Sequence, residues 1–209
     1  MAKKNKEISS SNLIKVKPIT EGQKTVFETY KQGKNQFLFG CAGTGKTFVS
    51  LYLAMQDVLD LKTKYDKVIL VRSLIPTREI GFLPGDEEDK AALYQVPYQN
   101  MVKFMFEQPN EQAFNMLYDR LKNQGSLYFL STSFLRGLTF DNSIIIVDEC
   151  QNLNFHELDT ITTRVGQDSK IIFCGDFSQT DLLKQNERNG LHDFLRILME
   201  MQEFNCVEF

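Results

Sequence analysis

Two short stretches carry residue types able to handle a polyphosphate, GCAGTGKT at 40–47 and IIIVDEC at 144–150. The first fits G-x-x-x-x-G-K-S/T between a predicted strand and a predicted helix, the context that a phosphate loop requires. Gly40, Gly43 and Gly45 permit backbone conformations that a side chain forbids. Successive N–H groups along Cys41, Ala42, Gly43, Thr44 and Gly45 can therefore point at phosphate oxygens. The helix beginning near Lys46 adds its positive end. Lys46 is placed to reach the β- and γ-phosphates of ATP, and the Thr47 hydroxyl to ligate Mg²⁺.

In the second stretch, four apolar residues of a buried strand end in two acids. Asp148 is expected to hold Mg²⁺ through its water shell, and Glu149 to act as general base on the attacking water. KIIFCGDFSQTD at 170–181 is another buried strand ending in polar groups, which a parallel sheet brings to the same rim. Gln179 could there sense the γ-phosphate; a turn built on Gly175 and Asp176 is an equally good reading. Arg72, Arg136, Arg164 and Arg188 are all open as stabilisers of transition-state charge. Spacing does not rank them.

The elements that must position these residues follow from hydrophobic period. Helices are predicted over 20–30, 47–61, 90–107, 111–122, 154–163 and 189–202, and strands over 36–39, 67–71, 126–131, 143–147, 170–174 and 205–208. The Pro- and Gly-punctuated stretch 73–85 reads as an irregular functional connection. Strands that alternate with helices and read as continuous apolar runs predict an α/β fold, and the phosphate-loop motif makes it that of a P-loop NTPase. The expected fold is a RecA-like three-layer sandwich, a mostly parallel sheet flanked by helices, with ligand at the carboxyl ends of the strands. Predicted strands at 67–71 and 126–131 separate the two motifs in sequence. That separation, with a Glu after the Asp, points to the ATPases that use a catalytic glutamate.

At 209 residues, 42% of them hydrophobic, the chain has material for one core, and two full nucleotide-binding lobes do not fit. The expected division is a basic flexible arm at 1–19 and a single domain at 20–209. Net charge is −3, which argues against a dedicated nucleic-acid-binding domain, yet residues 1–34 hold eight Lys against three Glu, 8 − 3 = +5. Such an arm either attracts polyanions or is a solvated tail. No apolar run approaches the roughly 18 residues of a membrane span, and no signal-peptide core follows the first Lys residues, so a cytoplasmic location without membrane partners is expected. Cys41, Cys150, Cys174 and Cys206 lack zinc or disulfide spacing.

Taken together, the motifs resemble those of the PhoH family, phosphate-starvation-inducible ATPases whose core is similar to one lobe of superfamily 1 helicases. The resemblance covers about 20–200 and is carried by Gln23 ahead of the loop, GCAGTGKT, VRSLIPTREIGFLPGD, FLRGLTF, IIIVDECQN, TRVGQDSKIIFCGDFSQTDL and NGL at 189–191. It implies that Gln23 reads adenine, that Gln151 and Gln179 contact phosphate or nucleic acid, and that Asp181 belongs to the site region. It places Arg72 in a motif facing nucleic acid or the nucleotide. RNA or single-stranded nucleic acid is the implied partner, and a homo-oligomer, with a hexameric ring conceivable, the implied assembly. Arg164 would there complete a neighbour's site. Phage origin is plausible for a small single-core relative. Cys41 stands where the family usually has proline, and Cys150 where it has alanine. The family's further acidic and basic stretch is expected to be missing beyond Phe209, and no nuclease domain is expected ahead of the core. Two other readings stay open, a nucleotide-binding regulator with little turnover and, more remotely, a type II thymidine kinase. The latter's cysteine-based zinc lasso has only Cys206 to represent it.

Overall fold

A strand buried on both faces needs apolar side chains at every position rather than at alternate ones, and the central runs of this chain meet that demand. The computed structural model describes residues 7–73, 87–178, 182 and 185–209. Among them six strands form one sheet: β1 (Asn35–Phe39), β2 (Lys67–Arg72), β3 (Leu127–Ser131), β4 (Ser143–Val147), β5 (Lys170–Gly175) and β6 (Phe204–Glu208). Their spatial order is β3-β2-β4-β5-β1-β6, and every pairing is parallel. Every residue of β4 and β5 is buried.

Parallel strands need crossover connections, and the helices that supply them cover both faces. On one side lie α1 (Glu21–Lys31), α2 (Lys46–Leu59), α3 (Glu87–Met105) and α4 (Glu111–Asn123), packed with Leu38, Leu70, Ile144, Ile146 and Ile172. On the other lie α5 (Phe155–Thr162) and α6 (Gln185–Glu200), packed with Phe37, Ile69, Ile145, Val147 and Phe173. The consecutive isoleucines of β4 thus divide between two cores. The result is a RecA-like α/β sandwich of three layers. Side-chain caps fix several helix starts: Thr20 accepts from the Gln23 N–H, and Asn154 and Glu157 form a capping box on α5.

The segment before α1 departs from the expectation of a solvated arm. Ile8 and Leu13 are buried and Val16 packs beside them; the Ile14 N–H donates to the Met105 carbonyl, and Tyr52 Oη donates to the Ile14 carbonyl. Apolar residues interspersed among the lysines are enough to dock this stretch on α2. The expected connection at 73–85 and the positions Gln179 and Asp181 lie outside the described residues, apart from Ser73.

Candidate nucleotide site

The phosphate-loop motif occupies the turn between β1 and α2, with Gly40, Gly43 and Gly45 at φ 132°, 77° and 94°. These left-handed values are open to glycine and strained for other residues. Gly45 is the N-cap of α2 and supplies no side-chain cap. The first-turn amides of α2 therefore lack a side-chain acceptor and carry the positive end of the helix dipole. Lys46, 8% exposed, lies back over the loop and donates to the Gly40 and Cys41 carbonyls at 2.7 and 2.6 Å.

The two motifs meet at the next residue. Thr47 Oγ1 donates to Asp148 Oδ1 at 2.6 Å. The other oxygen, Oδ2, accepts from Tyr98 Oη at 2.7 Å. Beyond β4 the chain turns at once, with Glu149 at φ 53° and ψ 40°. Gln151, 2% exposed, donates through Nε2 to Glu149 Oε2 at 2.5 Å and accepts the Asp176 N–H on Oε1 at 3.1 Å. It ties the turn after β4 to the end of β5. In the sheet β5 lies between β1 and β4, so Asp176 emerges between the two motifs. Its Oδ2 accepts the Ala42 N–H at 2.8 Å. The Ser178 hydroxyl and amide, the Ala42 amide and nearby Lys46 hold the Asp176 carboxyl below the usual carboxylate range against the effect of burial.

These groups line one cavity of about 300 Å³, whose walls include Gly43, Lys46, Thr47, Asp148, Glu149 and Asp176, with Phe48 and Met101 as its apolar side. Its hard-oxygen pair, Thr47 Oγ1 and Asp148 Oδ1, suits Mg²⁺. Among the described residues no group of three or more His, Cys, Asp or Glu is arranged to hold a metal. A Mg²⁺ here would complete its shell with water and phosphate oxygens, as this ion commonly does.

The remaining sequence candidates fall at different distances from the cavity. Gln23 is buried against the loop, donating to the Thr44 carbonyl at 3.2 Å while accepting the Ile19 N–H at 2.9 Å. The exposed thiol of Cys41 is on the loop itself. Arg72, at the end of β2, reaches the Tyr98 hydroxyl and lies within the field of Asp148 and Glu149. Arg164 is not brought to the cavity. It donates to the Leu138 carbonyl beside the Phe140–Val165 bridge, shortly before β5 begins, at the opposite rim of the sheet. Arg136 is exposed, and Arg188 Nε donates to the Leu182 carbonyl. Tyr98, buried, and Met101, half-buried, escape sequence reasoning, since apolar and aromatic residues of a helix read as core.

A parallel sheet with a glycine-rich loop at one strand end and an acidic pair at the end of another defines a P-loop protein with a nucleotide-binding fold. The chain belongs to the PhoH family: the family model for PhoH-like protein matches residues 15–209. It is 35% identical over 145 residues to Protein PhoH2 of Bacillus subtilis, covering 69% of this chain and 32% of that protein. A PhoH-like protein of Synechocystis is 34% identical, over 79% of this chain and 48% of its own length. Protein PhoH of Escherichia coli is 31% identical, over 83% and 47%. The chain thus spans less than half the length of each of these three relatives. Among solved structures, the Hef helicase domain of Pyrococcus furiosus aligns over 89% of this chain and 37% of its own, at 12% identity and TM-score 0.49. Bacteroides Pif1 bound to ssDNA aligns over 92% and 42%, at 18% identity and TM-score 0.42. Likeness at that level bears on nothing this chain binds. Among the described residues no helix is long and apolar enough to cross a membrane.

Proposed function

We propose that this chain is a Mg²⁺-dependent ATPase whose turnover is coupled to RNA or single-stranded DNA and which works as an assembly of several copies. The observation that carries the ATPase reading is the 2.6 Å contact of Thr47 with Asp148 at the foot of an uncapped helix. It puts a metal-binding oxygen pair next to amides and a lysine that favour polyphosphate. The loop amides and Lys46 bind and orient the β- and γ-phosphates, with Lys46 exchanging its carbonyl acceptors for phosphate oxygens. Bound Mg²⁺ supplies positive charge that offsets the charge developing on the transferred phosphoryl group. Glu149 accepts the proton of the attacking water, and Gln151 aims that carboxylate. Gln179 is kept as the sensor of the γ-phosphate.

Two considerations support the coupling and the assembly. Arg164 donates to the Leu138 carbonyl at the opposite rim of the sheet and not into its own cavity, so in an assembly it is free to serve a nucleotide held by another copy. The lysine-rich stretch 1–34 gives a polyanion a place to act. The experiment is steady-state ATP hydrolysis with and without RNA and single-stranded DNA, beside the mass in solution. Stimulated turnover by a species larger than 24.2 kDa is expected. Nucleotide binding without turnover under every condition would favour the regulator instead.

A further inference from the structure

We infer that Tyr98 is a positioning residue for the metal-side carboxylate: by holding one oxygen of Asp148 it fixes the carboxylate plane so that the other faces Thr47. This inference rests on reading the cavity as a Mg·ATP site. The terminal torsion of an aspartate is broad, so nothing intrinsic fixes the plane of the carboxylate. Here both oxygens are engaged, Oδ1 by Thr47 at 2.6 Å and Oδ2 by Tyr98 at 2.7 Å. The second distance is the short O–H···O⁻ kind that charge assistance gives.

The direction of that hydrogen bond is fixed by counting donors. A carboxylate only accepts, so the one hydrogen of the Tyr98 hydroxyl goes to Asp148 Oδ2. The Arg72 guanidinium lies close enough to act electrostatically on both Tyr98 and Asp148. Arg72 is steadied in turn by the Tyr94 ring, whose centroid lies 5.4 Å from its guanidinium carbon. Tyr94, Tyr98 and Met101 recur at helical spacing, so one face of α3 both walls the cavity and holds Asp148.

Packing alone does not set the Tyr98 hydroxyl. Its ring, though only 2% exposed, borders a second cavity of about 230 Å³ that Leu70, Gln95, Tyr118, Lys122 and Phe129 also line. The hydrogen bond to Asp148 supplies what packing leaves open. Partners of this outer kind typically change metal affinity 10–100-fold when removed.

The test compares Tyr98→Phe with the unaltered chain by two measurements. In ATP hydrolysis, the Mg²⁺ concentration for half-maximal velocity is expected to rise about 10–100-fold, with ATP binding in chelator unchanged. In thermal unfolding, the additional rise in midpoint that Mg²⁺ gives over ATP with chelator is expected to shrink, while the rise from ATP alone persists. A folded Tyr98→Phe chain with unaltered Mg²⁺ requirement and unaltered metal-dependent rise overturns the inference. If Tyr98→Phe does not fold, Tyr98→Met, which fills the space without a donor, carries the same comparison. An unaltered chain that binds Mg·ATP without hydrolysing it sinks the ATPase reading, and the thermal comparison still decides Tyr98. Absence of any metal-dependent rise in the unaltered chain overturns both.

Discussion

Glu149 occupies a left-handed backbone conformation, φ 53° and ψ 40°, that costs a non-glycine residue about 1–2 kcal/mol. Strain of this sort persists where surrounding contacts over-determine it. The contact here is Gln151, whose Nε2 meets Glu149 Oε2 at 2.5 Å. The turn throws the Glu149 carboxylate into the cavity immediately after Asp148 leaves the sheet. Glu149→Gln keeps the size and the backbone demand while removing the basic oxygen. It is expected to bind ATP as the unaltered chain does and to lose hydrolysis by about 10²–10⁴-fold. Equilibrium binding and single-turnover hydrolysis measured together check this, and full turnover in the variant would remove Glu149 from the role of base. Lys46→Ala should fail in the opposite order, losing affinity first. Lys46, Thr47, Asp148 and Glu149 were legible in the sequence because their motifs are local in the chain. Tyr98 was not, because its part depends on a contact with a residue 50 positions away.

Elements were legible where a continuous apolar run or a helical period marks them, so β4 spans the predicted 143–147 and α5 differs by one residue at each end. Their spatial order was not. The strands between the two motifs in sequence are β2 and β3, yet the strand between them in space is β5. That insertion makes the end of β5 a joint of the site. A Cβ at Gly175 would lie 2.8 Å from Cys150 Sγ and 3.0 Å from Gln151 Oε1. Gly175→Ala must therefore shift the Cys150 thiol and press on Gln151, the side chain hydrogen-bonded to Glu149. A stability loss of about 1–3 kcal/mol is expected from overpacking, with a larger fall in kcat than in ATP affinity. Denaturant midpoints and steady-state kinetics test both parts, and an unchanged kcat would show that Gln151 does not need its place. The described stretch before α1 was misjudged for a related reason. Its lysines dominate local charge, while Ile8 and Leu13 are buried, with Val16 packed beside them, through contacts remote in sequence.

For the molecule as a whole, the opposite rim of the sheet contributes a pH dependence that the nucleotide site does not share. Lys170, at the start of β5, is 2% exposed, donates to the Tyr30 carbonyl at 3.0 Å and lies 3.5 Å from the Tyr30 ring centroid. Burial lowers its pKa from 10.5 to about 8, partly opposed by Asp57 and assisted by Lys64. Between pH 8 and 10.5 the unfolded chain therefore holds a proton that the folded chain has shed, so this residue makes stability rise with pH across that window. The buried thiols of Cys150 and Cys174, whose pKa values burial raises above the ordinary 9, act with the opposite sign as the unfolded chain ionises. A simple stability profile therefore mixes the two. Subtracting the profile of Lys170→Met removes the thiol contribution, because both chains keep those cysteines. The difference, unaltered chain minus variant, is expected to grow in favour of the unaltered chain from about pH 7.5 to 9.5, by on the order of 1–2 kcal/mol at 1.4 kcal/mol per unit of pKa difference. Tyr30, whose hydroxyl pKa burial and then Asp57 raise above 10, limits the useful range at its upper end. Urea unfolding at several pH values gives the difference directly. A flat line would mean that Lys170 reaches solvent or a carboxylate when folded, and that its aromatic seat under α1 does not persist in solution.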